Sequence, residues 1–205
     1  MKKVFLKNLL SLVMLSVLLI PCHAQFYTAG TSSPSENFSD SPSWEISVAG
    51  IADFVKLKDA SGWEALSHQK GLSAQALFYA TDFFAFGIEG TTFANEKIAG
   101  VEKYRVHRFG ATAKLFLATE TLPRSYFLLG VGKTSRKLNY IFDYKESSSA
   151  NYYLLGAGIE TDIWKMIFTG IELRFIYNDK TPVGSFYHLP SRWETQLILR
   201  AGIRF

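Results

Sequence analysis

The stretch Trp193-Glu194-Thr195-Gln196-Leu197-Ile198-Leu199-Arg200-Ala201-Gly202-Ile203-Arg204-Phe205 decides the fold. Trp193, Thr195, Leu197, Leu199, Ala201, Ile203 and Phe205 share one parity. Glu194, Gln196, Arg200, Gly202 and Arg204 share the other, with Ile198 as the exception. A strand turns successive side chains to opposite faces, so this period of two reads as a strand with one apolar and one polar face. Residues 167–178 repeat it, with Ile167, Thr169, Ile171, Leu173, Phe175 and Tyr177 against Gly170, Glu172 and Arg174. Residues 43–55 set Trp44, Ile46, Val48, Gly50, Ala52 and Phe54 against Glu45, Ser47 and Asp53. Residues 104–118 set Phe109, Ala111, Ala113, Leu115 and Leu117 against Arg108, Gly110, Thr112 and Lys114.

Eight strands are predicted in all, over 43–55, 70–80, 84–93, 104–118, 125–134, 151–162, 167–178 and 192–205. Gln75, Glu89 and Glu160 mark the polar faces of the second, third and sixth. The fifth is apolar on both faces, which leaves its register open. The gaps alternate in length: 56–69, 94–103, 135–150 and 179–191 are long, whereas 81–83, 119–124 and 163–166 are short. An up-and-down barrel crossing a membrane sorts its connections this way, with short turns at one end and long loops at the other. A Greek-key sandwich has no reason to do so. The predicted class is therefore all-β, an eight-stranded antiparallel transmembrane β-barrel over residues 44–205.

Alternation alone also fits a soluble strand with one face on a core, and three features weigh against that reading. Small residues (Gly, Ala, Ser, Thr) fill the polar face between its charges, as a narrow lumen requires. Those charges nearly balance, with Glu45, Asp53, Glu89, Glu160, Glu172 and Glu194 against Arg108, Lys114, Arg174, Arg200 and Arg204; an unpaired buried charge would be costly. Aromatics also gather at the strand ends, Trp44, Phe83, Phe84, Tyr126, Trp164 and Phe205 at one and Phe93, Tyr104, Tyr152, Tyr153, Tyr177 and Trp193 at the other. Two such belts mark bilayer interfaces. The apolar face carries no charge at mid-height, where an exposed Lys or Arg costs roughly 2–4 kcal/mol. Arg105, His107 and Lys133 come nearest, toward the long-loop end, where their stems can snorkel.

The chain opens with Lys2, Lys3 and Lys7, an apolar run from Leu9 to Ile20, the stop Pro21, and Cys22-His23-Ala24 before Gln25. This pattern predicts a signal peptide over 1–24, cleaved after Ala24. The alternative is a lipidated Cys22, for which Pro21 is a poor neighbour. Residues 25–43, rich in Ser and Pro, read as a disordered segment. Of 22 basic residues, removing the three leader lysines leaves 19 against 18 acidic ones. The high isoelectric point of the whole chain therefore does not point to nucleic acid. The one cysteine lies in the leader, which excludes a disulfide framework in the remainder. His68, His107 and His188 lie on separate segments without ligand spacing, so neither metal nor cofactor is expected.

Together, the leader and the final strand, Gln196 to Phe205, resemble the small outer-membrane β-barrels of the OmpA/OmpX type. Barrels of that family end in an aromatic after alternating apolar residues, and the barrel assembly machinery reads that strand. The resemblance implies an assembly signal at Leu199, Ala201, Ile203 and Phe205, a location in the outer membrane, and contact with outer-membrane lipid and lipopolysaccharide.

An eight-stranded barrel is just wide enough for its own side chains. Glu45, Glu89, Lys114, Glu160, Glu172, Arg174, Glu194 and Arg200 are therefore expected to form a polar lumen network that fixes register and fills the interior. That network suits a structural, adhesive or interaction protein, and a narrow porin-like channel is the other use of such a lumen. A different class is a lipid A-modifying enzyme of deacylase type, with candidates His188, Ser191 and Glu194, or His107 near Ser135. The His-x-Ser-Asn arrangement expected of a deacylase is missing from Tyr187-His188-Leu189-Pro190-Ser191, so no enzyme is predicted. Segments 56–69 and 135–150 are the candidate surfaces for protein partners. The second reads as an exposed loop, with a hairpin extension as the alternative.

Overall fold

The computed structural model describes residues 44–205, except 67, 95, 99–100, 118–122, 143, 165 and 182. The predicted signal peptide over 1–24 and the Ser/Pro-rich segment over 25–43 lie outside the described residues. Eight long strands run in chain order: β1 (Trp44–Asp53), β2 (Gln69–Thr81), β3 (Phe84–Phe93), β4 (Val101–Phe116), β5 (Arg124–Tyr140), β6 (Lys145–Trp164), β7 (Ile167–Asn178) and β8 (Trp193–Arg204). Each pairs antiparallel with its sequence neighbour, and β8 returns to pair with β1. The seam closes with reciprocal bonds, Trp44 N to Phe205 O at 2.9 Å and Phe205 N to Trp44 O at 3.0 Å. The architecture is a closed eight-stranded antiparallel barrel, and closure satisfies the backbone amides of its wall without water.

The parities divide as the alternation requires. Val48, Phe109 and Leu199 point outward and are 63%, 62% and 64% exposed, whereas Glu45, Lys114 and Glu172 point inward and are buried. Ile198, the exception in the last strand, is fully buried in the interior. The open register of the fifth strand resolves with Tyr126 and Leu128 inside and Leu129 and Val131 outside. Its apolar inner side packs with Leu77, Phe116, Leu154 and Ile176, so part of the interior is an apolar core.

Segment 135–150 differs from the expected loop. Strand β5 continues to Tyr140, β6 begins at Lys145, and Tyr140 N bonds Tyr144 O at 2.8 Å across the turn. Continuous pairing from Thr134↔Ala150 to Asn139↔Lys145 makes this a hairpin extension of the barrel wall. Turn-forming polar residues suggested a loop there, but the hydrogen-bonded ladder and the inward Arg136 and Leu138 hold the extension. Two other long segments also carry local structure: Tyr187–His188 pairs with Leu57–Asp59, which pairs with Glu64–Leu66. Val55, Leu57, Ile98, Val183, Tyr187 and Leu189 join Phe93, Tyr104 and Leu138 in a buried apolar cluster at the long-loop end.

Candidate functional site

The lumen is organised in three charge-balanced layers. Nearest the short turns, Lys114 Nζ lies 2.8 Å from Glu45 and 3.3 Å from Glu160. Arg204 pairs with Glu45, Glu160 and Asp162, and Arg124 reaches Asp162 at 3.0 Å. In the middle, Arg174 spans Glu89 at 2.7 Å and Glu172 at 2.6 Å, while Arg200 Nε meets Glu172 at 2.7 Å. Ser73 and Gln75 donate to Glu89, Tyr126 donates to Glu172, and Arg200 donates to Ser47. At the long-loop end Arg108 pairs with Asp53 and Glu194, Arg136 lies 3.1 Å from Glu194, and Asn178 and Gln196 donate to the two carboxylates.

All eight residues predicted for the network point inward and are buried: Glu45, Glu89, Lys114, Glu160, Glu172, Arg174, Glu194 and Arg200. Arg136 is a member that sequence reasoning missed, because it lay in the segment read as a loop. With it the six acids of the sequence reading face six bases, Arg108, Lys114, Arg136, Arg174, Arg200 and Arg204. The missed signal was parity: Arg136 follows Thr134 by two, on the side that faces the lumen.

The aromatic belts need correction. Trp44, Phe84, Trp164, Tyr153, Trp193 and Phe205 are exposed, but Tyr126, Phe93, Tyr104 and Tyr152 are buried inside. Position near a strand end does not fix the side on which a ring falls; parity does. The inward rings are used as packing and as hydrogen-bond donors. Tyr126 lies against Gly158, where an added Cβ would come within 2.6 Å of the phenol oxygen.

Outside the barrel wall, Glu146 ties the hairpin to the segment before Tyr187. It accepts hydrogen bonds from Tyr140 (2.7 Å), Tyr144 (3.2 Å) and the backbone N of Ser185 (2.9 Å), and from the Ser185 hydroxyl. Desolvation pushes its pKa up, but the Ser185 and Tyr140 donors outweigh it and hold the carboxyl below its usual value. Burial and the bond to Glu146 together push the Tyr140 phenol up.

The candidate catalytic residues are dispersed. Glu194 is in the lumen, His188 sits in a short strand opposite Lys58, and Ser191 Oγ accepts a bond from Trp193 N at 3.0 Å. His107 and Ser135 are cross-strand partners on the outer wall, and among the described residues no hydrogen bond joins them. Neither set has the nucleophile–base–orienter chain that acyl transfer needs. Among the described residues, no group of three or more His, Cys, Asp or Glu side chains could hold a metal ion. The predicted assembly-signal residues Leu199, Ala201 and Ile203 face outward on β8, and Phe205, the residue that follows it, is exposed.

No protein family and no curated protein sequence matches the chain. Solved structures do. Neisserial surface protein A superposes with a TM-score of 0.63 at 12% identity, over 80% of this chain and 97% of that one. Its fold is that of the small eight-stranded outer-membrane barrels. Ail, the attachment invasion locus protein of Yersinia pestis, superposes with a TM-score of 0.53 at 16% identity, over 80% of this chain and all of that one. Such identities leave few shared side chains, so what these small barrels have in common is strand number, order and closure.

Proposed function

We propose that the protein spans the outer membrane as a barrel with a filled lumen and presents an interaction surface at its long-loop end. The observation that carries this reading is the belt of exposed apolar side chains around a wall that encloses buried, paired charges. Water would penalise that belt, and hydrocarbon would not. Ten residues of a strand such as β1, rising about 3.3 Å each and tilted about 40°, cover about 25 Å along the barrel axis, the height of such a belt. Exposed Trp44, Phe84, Trp164 and Phe205 at one end, and Tyr153 and Trp193 at the other, suit the two interfaces.

The interaction role rests on the hairpin and the cap. Ile141, Phe142, Tyr144 and Phe186 are exposed beyond the belt, on elements held by the Glu146 bonds. A preorganised aromatic surface of this kind suits binding to another protein. One structural neighbour, Ail, carries attachment and invasion in its name, and an adhesive role is consistent with that. Segments 56–69 and 135–150 are the parts of this chain we assign to partners. Export by a cleaved leader, and recognition of Leu199, Ala201, Ile203 and Phe205 by the assembly machinery, belong to the same reading.

A channel is the less favoured use of the lumen. Arg136, Arg174, Arg200, Lys114, Tyr104, Tyr126 and Phe168 are all fully buried in its interior, and their paired charges are held by two or more strands. The test is electrophoresis of outer-membrane fractions with and without boiling, combined with planar-bilayer recording of the refolded protein. Heat-modifiable migration without steady conductance is the expected result. A protein that remains soluble and monomeric without detergent, or steady ohmic conductance, would overturn the proposal.

A further inference from the structure

The wall of the barrel closes, but the hairpin that rises from it does not. Strand β7 leaves β6 after the pair Asn178↔Tyr152. The last bonds between the two segments join Asp179 N to Asn151 O at 3.0 Å and Asn151 N to an Asp179 carboxylate oxygen at 2.9 Å. Beyond Asn151, β6 still pairs with β5 on one side, as far as Asn139↔Lys145. On its other side no strand among the described residues pairs with it. Backbone N–H and C=O groups alternate between the two sides of a strand. Because Asn151 turns to the β7 side, Ser149, Ser147 and Lys145 turn their backbone groups the same way, and among the described residues no hydrogen bond reaches those groups there. All three residues are exposed. Such a row is a template for another strand.

We propose that this edge pairs with the same edge of a second copy of the chain, antiparallel and about a two-fold axis at Ser147. The inference deepens the interaction role proposed above and rests on the membrane-spanning reading. A two-fold interface brings the same patch of each copy together, so the edge must be compatible with its own sequence. Centred on Ser147, the register sets Lys145 opposite Ser149 and Glu146 opposite Ser148, and it uses all three free positions of each copy. No like charges then meet directly, which would oppose pairing. One residue either way is worse. Centring on Glu146 sets two carboxylates face to face, and centring on Ser148 matches Lys145 with Asn151, whose backbone is already bonded to Asp179.

Geometry also decides where the second copy sits. Strands tilt about 40° to the axis of a membrane barrel, so the edges of two copies in one membrane would cross at about 80° and form no ladder. Antiparallel pairing needs a copy that points the other way, in a facing membrane. Ser147 lies six residues beyond Tyr153, the last outward apolar side chain of β6. That is a rise of about 15 Å, which sets the two bilayer surfaces about 30 Å apart. The edge therefore joins two membranes that both carry this protein. Three positions per copy make a weak bond, so the contact gains strength from many pairs across the gap.

The test uses phosphatidylcholine vesicles that carry the refolded protein, labelled in two colours, with mixed clusters counted by fluorescence cross-correlation. Wild-type vesicles are expected to cluster with one another and not with protein-free vesicles. Ser147 meets its own copy, so Ser147→Lys vesicles and Ser147→Asp vesicles should each lose clustering down to the protein-free level, while a mixture of the two should cluster again. Ser147→Pro removes an N–H that the ladder to β5 does not use, and it should abolish clustering in every mixture. Absence of wild-type clustering, undiminished clustering of Ser147→Lys, or no recovery in the mixture would each overturn the two-fold pairing. Heat-modifiable migration is recorded on the same samples. Its absence in wild type would bring down the membrane reading itself, whereas its presence without clustering would bring down only the pairing of edges.

Discussion

Arg174 meets Glu89 edge-on across the lumen, Nη1 to Oε1 at 2.7 Å and Nη2 to Oε2 at 3.0 Å, joining β7 to β3 on the opposite side of the barrel. The same guanidinium holds Glu172 through Nε at 2.8 Å. Two parallel bonds to one carboxylate and a third to another leave little freedom, so this contact ties together wall segments that share no ladder.

Replacing Arg174 with Ala leaves Glu89 and Glu172 short of a cation in the interior. Breaking a buried pair from one side costs about 3–5 kcal/mol. The variant should unfold at a clearly lower temperature in the gel-shift assay, whereas Arg174→Met combined with Glu89→Leu should recover much of the loss. An Arg174→Ala barrel as heat-resistant as wild type would count against the network's structural role.

Arg136 makes an equivalent prediction in a place that looked like loop. It bonds Asn178 at 3.0 Å and Glu194 at 3.1 Å. Arg136→Ala should destabilise by a few kcal/mol, on the order of a broken buried pair. Lys137→Ala, one residue on and facing outward, should shift stability by no more than about 0.5 kcal/mol. Equal effects of the two substitutions in urea titrations would contradict the register of β5.

Gly158 gives a steric test. An alanine there would place its Cβ 2.6 Å from the Tyr126 ring and 2.9 Å from Glu172 Cγ. Gly158→Ala should therefore cost about 1–3 kcal/mol through overpacking, while Tyr126→Phe loses only the hydroxyl's bond to Glu172. Combining Gly158→Ala with Tyr126→Ala should be less harmful than the sum of the two, as expected where two side chains contest one space. Strict additivity in the double-mutant cycle would show that they do not.

The Glu146 latch should respond to acid. Its carboxyl titrates below the usual value because Ser185 and Tyr140 donate to it against the cost of desolvation. A carboxyl with a depressed folded pKa contributes stability that is fully present above the unfolded value, about 4.3, and is lost as pH falls through the folded one. Amide exchange at Ser185, corrected for its intrinsic pH dependence, should thus be slow at pH 6 and accelerate as pH falls below the ordinary carboxylate range. Glu146→Gln should exchange faster at pH 6 and show no such acid step. A wild-type exchange rate that follows only the intrinsic pH dependence would rule out the latch.

Much of this was legible in the chain. The strict parity of Trp193 to Phe205 and of Ile167 to Tyr177 assigned outward and inward faces correctly, because in a closed sheet one face meets a single medium along its whole length. The alternation of long and short gaps gave the meander. The length of β5 and β6 was not legible: Ser, Lys and Asn over 135–150 have turn-like composition, and pairing between two distant segments overrode that local preference. The aromatic residues misled for a related reason, since Tyr104 and Tyr152 satisfy the interior as well as an interface.

Sequence pattern alone fixed the class, the direction in which the charges point on every strand but the fifth, and the near-neutral count of those charges, since all three follow from periodicity and composition. Which acid meets which base did not follow. That Arg174 faces Glu89 and Arg108 faces Glu194 depends on strand stagger and barrel closure, which bring together residues 85 and 86 positions apart. Periodicity is a local property set by the peptide's two-residue repeat, whereas partner choice is a distance in space, and distance is settled only once the sheet has closed.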